Sequence, residues 1–560
     1  MDKSTPRDRS QKRPAPTLQR GRIFFGLILA KRDRHGQIRF RPNWPRLITF
    51  VCLSGAGLYI LACTALFVIL KYNRGYESFT FKESLTAAFN LSYHRTQMGN
   101  QNIELAKELL NSRERQDILQ SYAYLRAGVR RAPTNLEGRI LLAEFNEILY
   151  RRADIAADLL IEGLYFADRN PEYHEARYIA SLFRVLLRNY MDFRAIEVSR
   201  ELLQKLDPSS QEFQFVATQL ALALFYRGDF TESEAVILRH NLSNNSEGLS
   251  LLALIRHNQN RTTEAIELLE NHLDQNLGSR VGYERLMAIF RDIRDYDRVR
   301  TNSLIWSIRF PDYAAARVNL MFAYDHAGDE EAIKAEVEDL LSHNPNPDSL
   351  IQILSFASES GRPELIQTVI EKANLSDGDR VMAQAKISLA EAFVRAGQAS
   401  ESLELISELE KDNPVLFASV SSLINGIRSV ALFFDNRPIE GQAYLREFLA
   451  DPTIRPSVYL AMAKLFESSG HPKVARDVLA ESFLRHPQDH RTLSAIVQLD
   501  AQVRDLPSFR KHIRALVKSR IPTREAVDSA YLELSSDRHL FLSDRDELFL
   551  KMASFYDDRS

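Results

Sequence analysis

Three glycines restrict the geometry open to this chain more than any other feature. Gly328, Gly397 and Gly470 are each followed seventeen residues later by a proline, Pro345, Pro414 and Pro487. Eight residues before them stand Leu320, Leu389 and Met462, four before stand Tyr324, Phe393 and Phe466, and nine after come Val337, Ile406 and Leu479. In the clearest copy, Val381 to Pro414, two apolar stripes flank Ala396-Gly397-Gln398: Ile387, Leu389, Ala390, Phe393 and Val394, then Leu403, Leu405, Ile406 and Leu409. Both recur at helical and not strand spacing, so the unit reads as helix, turn, helix. Pro414 closes it, because proline lacks an amide donor and pushes its predecessor out of the α region.

Weaker copies extend the frame. Gly228 has Leu220 and Ala221 upstream and Ile237 downstream; Asn260 has Leu252 and Ala253 upstream and Leu269 downstream. Unit ends fall near Pro133, Pro171, Pro208, Asn245, Leu277, Pro311, Pro345, Gly378, Pro414, Asp451, Pro487 and Pro522, at intervals of 32 to 38 residues, which makes eleven units. One helix pair cannot hide its own apolar stripe, whereas stacked neighbours bury a continuous core. Growth in one dimension also lets a chain of 560 residues avoid the size limit of a single globular core. The expected fold is an all-α solenoid with little strand.

These units resemble the tetratricopeptide repeat, which carries a small residue in its first helix, an aromatic after it and a closing proline. Ala390, Phe393, Gly397 and Pro414 match that pattern, as do Ala463, Phe466, Gly470, Ala475 and Pro487. The family's tryptophan position holds Arg317, Lys386 or Tyr459 instead, and Asp154, Met191 and Arg294 are expected where other units have the turn glycine. The resemblance implies a right-handed superhelix whose first helices line a concave groove for an extended peptide or a helix of another protein. By turn position, the groove residues expected from it are Tyr226, His257, Asn258, Asp325, His326, Gln384, Glu391, Arg395, Lys464 and Glu467. Members that bind acidic C-terminal tails use asparagines at fixed groove positions. Val185, Leu222, Leu254, Phe322, Glu391 and Lys464 stand there in this chain, so that carboxylate clamp is not expected.

Charge divides the chain. Residues 1–46 carry thirteen Lys/Arg against three Asp, whereas the remainder holds 59 basic and 71 acidic side chains. The basic tail 1–46 is expected to be largely disordered, residues 1–22 above all, with Ile23 to Ala30 either lying in a headgroup region or pairing with residues 37–40 as a hairpin. Leu47 to Leu70 is 24 residues without a charge, flanked by Trp44 and Arg46 on one side and Lys71 and Tyr72 on the other. Such a stretch predicts a membrane-spanning helix, and the basic excess before it predicts a cytosolic N-terminus with everything after it exported. A cleaved signal peptide fits less well, since its apolar region is normally 7–15 residues long. Both cysteines, Cys52 and Cys63, lie inside that segment, so the exported part can form no disulfide or thiolate site. The expected localisation is a bacterial inner membrane crossed once.

The remaining boundaries expected are a helical stalk or cap at 71–132, the repeat array at 133–522, and capping helices at 523–560. No phosphate-binding glycine loop, G-x-S-x-G elbow or dinucleotide fingerprint occurs. His174-Glu175 begins like a zinc-protease helix but Tyr178 stands where the second histidine belongs, and His486, Asp489 and His490 read as turn residues. No catalytic residue, cofactor, metal, small-molecule substrate or nucleic-acid partner is expected. The reading is a membrane-anchored protein–protein interaction scaffold for an envelope, secretion or export assembly, with the bilayer and envelope proteins as partners. The alternative is a non-catalytic accessory subunit of a membrane enzyme or polysaccharide-synthesis complex.

Overall fold

The computed structural model describes residues 21–23, 26–32, 37–73, 80–86, 91–112, 115–165, 176–311, 313–343, 345–373, 375, 380–412, 414–539 and 542–555. Of the stretch 1–22 expected to be disordered, residues 1–20 lie outside them, as do the unit ends at Pro171 and Gly378 and His174-Glu175, while Gly21 and Arg22 are described and belong to a strand. The chain divides into two compact units, Met1–Asn170 and Pro171–Ser560.

In the first unit, part of the basic tail is ordered as a three-stranded antiparallel sheet of Gly21–Ile23, Ile28–Arg32 and Ile38–Pro42. Of the two readings of Ile23 to Ala30, this is the hairpin: Ala30 lies opposite Phe40 and Ile28 opposite Pro42. Gly26, at φ +83°, makes the turn before the central strand. Trp44–Asn73 follows as one helical stretch long and apolar enough to cross a membrane, opened by Pro45 in its first turn. Further on, Leu91–Asn111 and Arg115–Arg131 cross closely at paired glycines. A Cβ on Gly99 would sit 2.6 Å from Ala132, and one on Gly128 2.7 Å from Ile103. Leu136–Glu144 and Ala153–Leu164 come next, and Arg139, buried between them, donates to the carbonyls of Pro133 and Leu159 and to Glu162.

The second unit is built from one repeated corner. Ten helix pairs run from Ala176–Arg188 with Asp192–Lys205 through to His490–Val503 with Leu506–Leu516. In each pair the turn residue is left-handed: Tyr190, Gly228, Asn260, Arg294, Gly328, Gly361, Gly397, Asn436, Gly470 and Arg504 have φ between +56° and +82°. The following residue donates its amide to the carbonyl five positions back, as in Met191 to Leu186, Gln398 to Phe393 and Asp505 to Asp500, at 2.8–2.9 Å. That is the Schellman closure of a helix end. Glycine is the residue that adopts it without cost, and half the turns have it.

Where glycine is missing, the register is held at Asn260 and Arg294, which take the turn as expected, and slips elsewhere. Met191 and Asp154 were expected at the turn; Met191 has φ −88°, and Tyr190 and Arg151 take the left-handed conformation instead. Apolar spacing alone fixes such a corner only to within a few residues. Prolines mark helix starts: Pro347, Pro363, Pro414, Pro438, Pro456 and Pro472 each open a helix. Of the three prolines that follow a turn glycine by seventeen residues, Pro414 begins the next helix itself, whereas Pro345 and Pro487 stand two and three residues before theirs.

Small residues let the two helices of a pair touch. Ser233 donates to the carbonyl of Ala221 (2.6 Å), Ser402 to that of Ala390 (2.9 Å) and Ser429 to that of Gly441 (2.7 Å), all buried. Around these contacts the apolar stripes merge into cores that run from pair to pair, such as Ile266, Phe290 and Trp306, then Ile333, Ile353 and Ile366, then Ile406, Phe448 and Phe466. The acidic run Asp329-Glu330-Glu331 opens a second helix, with Asp329 accepting from the Ala332 amide.

Candidate functional site

After the tenth pair, the chain between Leu506–Leu516 and Arg524–Ser535 runs against the first pairs of the same unit. The amide of Ile521 donates to the carbonyl of Tyr226 (2.7 Å), and Arg227 donates to the carbonyls of Lys518 and Ser519 (2.9 and 2.7 Å). Arg520 is buried against Asp192, and its guanidinium also lies over the rings of Tyr190 and Tyr226, 4.6 and 4.0 Å from their centroids. Arg524 reaches the side-chain oxygen of Asn260 at 3.0 Å. From the next pair back, Asp489 caps its own helix through the Thr492 amide and accepts from the hydroxyl of Tyr190 (2.9 Å). Burial, with Asp489 adding to it, pushes the Tyr190 phenol up to about 12.

The clasp covers one of the expected groove residues, and contacts elsewhere in the array engage four more. Tyr226 lies under Arg520. His257 is buried, with Nε2 2.8 Å from Asp292 and Nδ1 3.0 Å from Thr262; the hydrogen bond from His257 is the main reason the Asp292 carboxyl is held low. Asn258 turns back onto the carbonyl of Leu254. Asp325 pairs with Arg362 at 2.5 Å, and His326 stacks on Tyr296 with centroids 3.9 Å apart. These five are engaged within the chain itself.

Four others are brought together. Gln384, Glu391, Arg395 and Lys464 line one cavity of about 810 Å³, with Ser358, Ser388, Arg491 and Gln498 on its other walls. Glu467, one turn beyond Lys464, is exposed but does not line it. Burial raises the pKa of Glu391, while a hydrogen bond from Ser358 (2.9 Å) and the nearby Arg395 oppose that shift. A second cavity of about 800 Å³ adjoins the first, the two sharing Ser457, Leu460, His490 and Arg491. Its walls are the rings of Phe183, Phe215, Tyr190 and Tyr226 and the arginines Arg184, Arg188, Arg455, Arg491 and Arg520. None of these arginines was expected: Arg188, Arg455 and Arg491 stand at helix ends or starts, Arg520 lies between helices, and Arg184 takes the turn-matched position only because the turn falls at Tyr190 and not Met191.

Among the described residues, no group of three or more His, Cys, Asp and Glu is arranged to hold a metal ion. His486 and His490 both keep a ring nitrogen buried without a partner among those residues, and Asp489 between them is committed to Tyr190 and Thr492.

No family model matches the chain, and no curated protein matches it. Among solved structures, a tetratricopeptide repeat protein from Parabacteroides merdae is similar at 11% identity and a TM-score of 0.29, over 58% of this chain and 98% of that one. A chain of the Naa15/Naa10 complex bound to HypK-THB is similar at 11% identity and a TM-score of 0.29, over 89% of this chain and 88% of that one. By its own geometry, one corner conformation and one mode of helix pairing repeated ten times, Pro171–Ser560 is an all-α tandem array of helix-turn-helix repeats.

Proposed function

We propose that the chain is a membrane-anchored scaffold that holds a segment of another protein along the concave face of its repeat array. The observation that carries this reading is the convergence of Gln384, Glu391, Arg395 and Lys464, drawn from two separate helix pairs, on one cavity of about 810 Å³. Its lining mixes hydroxyl, amide and charged groups with Leu460, Ala461 and Ala495, a composition suited to polypeptide. Trp44–Asn73 acts as the anchor, the basic residues before it stay in the cytosol, and the array works on the exported side of a bacterial inner membrane. Tethering keeps the groove near membrane-bound partners and raises their effective concentration without further contacts. The process served is assembly of an envelope, secretion or export complex.

Crosslinking in cells, with Arg395→Glu and Lys464→Glu introduced together, tests the groove. Partners held there are lost from the double variant, whereas partners that survive the reversal are bound elsewhere and overturn the reading. An alkaline phosphatase reporter fused after Ser560 tests the topology: it is active if the array is exported and silent if the array is cytosolic. Co-purification of a glycan-synthesis enzyme through the same residues would support the accessory-subunit alternative.

A further inference from the structure

We infer that the arginine-lined cavity beside the clasp receives an acidic stretch, rich in Asp or Glu, of the protein segment held in the groove. The inference rests on the groove reading above and adds the chemistry of the partner at one end of it. Arg455 and Arg491 both face this cavity, both are exposed, and neither has an ion-pair or hydrogen-bond partner for its guanidinium among the described residues. Arg184 and Arg188 line the opposite wall. Asp489 is the one described carboxylate in the lining, and its oxygens are already taken by the Tyr190 hydroxyl and the Thr492 amide. Counting Arg455 and Arg491 alone against the committed Asp489, positive charge exceeds negative charge among the described residues in a pocket with aromatic walls, where field lines are concentrated by the low-dielectric surroundings.

Two further features favour an anion. His490 lies in the lining with Nδ1 buried and unpartnered among the described residues, a site that offers a hydrogen-bond donor in its Nδ1-protonated tautomer; burial, and after it the charge of Arg520, lowers its pKa, so the ring adds no positive charge of its own. The helix Pro456–Ser468 starts at this cavity with no side-chain cap, which puts the positive end of its dipole there. Pro456 has no amide hydrogen and the amides of Val458 and Tyr459 donate to the Arg455 carbonyl, so the Ser457 amide is the one left over in that first turn. Guanidinium groups bind carboxylates in bidentate fashion, and an extended acidic segment can present several in succession. The shared lining of Ser457, Leu460, His490 and Arg491 makes the pocket continuous with the groove, so one segment can occupy both. Arg455 and Arg491 stand fifteen and thirteen residues before their turns at Gly470 and Arg504, not at the family's clamp position six residues before the turn; with the first turn at Tyr190, that position in the first pair holds Arg184 and not Val185.

The test uses the full chain in detergent micelles and a fluorescein-labelled Glu-rich peptide, with its Gln counterpart as reference, read by anisotropy. The expected result is tighter binding of the Glu peptide that weakens with salt. Arg455→Glu with Arg491→Glu should abolish that preference, roughly a tenfold loss or more. Arg446→Glu, an exposed reversal away from the cavity, should leave it intact, and circular dichroism checks that each variant folds. The inference is overturned if the double variant keeps the preference, or if an acidic oligosaccharide such as oligogalacturonate binds while the Glu peptide does not. It also fails alone if groove reversal at Arg395 and Lys464 abolishes cellular crosslinks but the Glu peptide shows no preference over Gln. Crosslinks that persist through groove reversal remove the underlying reading and this inference with it.

Discussion

Arg520 and Asp192, 328 residues apart in sequence, form a two-pronged buried ion pair: Nη2 lies 2.6 Å from Oδ1, and Nε lies 2.8 Å from Oδ2 and 3.1 Å from Oδ1. Their side chains are 8% and 2% exposed. Beside the Ile521–Tyr226 and Arg227–Ser519 hydrogen bonds, this pair fastens the tenth helix pair's exit to the start of the same unit. Removing one partner leaves the other charged and dry, a loss of about 3–5 kcal/mol, whereas replacing both with apolar residues is far milder. Arg520→Met or Asp192→Asn should therefore lower the melting temperature and make the Lys518–Ile521 segment sensitive to protease. The pair Asp192→Leu with Arg520→Met should recover much of the melting temperature. Single variants that melt and resist protease like the parent would mean the clasp does not hold in solution.

The turn residues permit a cleaner test, because the backbone alone decides it. A Cβ added at Gly328 would meet nothing within 4 Å, yet φ there is +70°. Gly328→Ala should thus cost about 1–2 kcal/mol through backbone strain without any clash. Arg504 has φ +62° and the same closure, from Asp505 to Asp500 at 2.9 Å. Arg504→Gly relieves that strain but frees the unfolded chain, so a gain of up to about 1 kcal/mol is expected. Thermal unfolding of the two variants should move in opposite directions.

Those turns also explain what could be read in advance. Gly328, Gly397 and Gly470 announced the corner because glycine at a helix end has a backbone reason to be there, and the spacing to the next proline fixed the unit. Gly361 and Asn436 make the same corner, at φ +65° and +56°, and each lies two residues before a proline that opens a helix, a signal available in the sequence. Tyr190 carried no such signal, hence the slip at Met191. The convergence of Gln384, Glu391, Arg395 and Lys464 followed from matching turn positions between units. The covering of Tyr226 by Arg520 did not, because a contact between residues some three hundred positions apart depends on how curvature accumulates from pair to pair. No local pattern records that sum.

The apolar helix makes a separate prediction. Leu58 and Leu61 lie near the middle of Trp44–Asn73, and both are exposed. If bilayer surrounds them, an arginine at the helix centre costs about 2.5–3.5 kcal/mol on the insertion scale. Leu58→Arg with Leu61→Arg should move the protein from the carbonate-resistant membrane pellet to the soluble or degraded fraction. Retention in the pellet would exclude this helix as the anchor.

Glu391 ties the groove to pH. Burial raises its folded pKa above that of the unfolded chain, with Ser358 and Arg395 partly opposing the shift. The folded state therefore holds a proton on Glu391 that the unfolded state has released. Its contribution is fully present below the ordinary glutamate value of about 4.3 and is lost as pH rises through the raised one. Glu391→Gln keeps an amide close to Ser358 in shape and needs no charge in the cavity. The variant should melt higher than the parent at neutral pH, with the gap closing towards pH ~4, where the parent carboxyl is protonated in both states. If the groove's partner supplies a cation to Glu391, the order reverses on binding. Wild type then gains more stability from the partner than Glu391→Gln does, and thermal shifts with and without partner distinguish a merely buried acid from one that waits for a counter-charge.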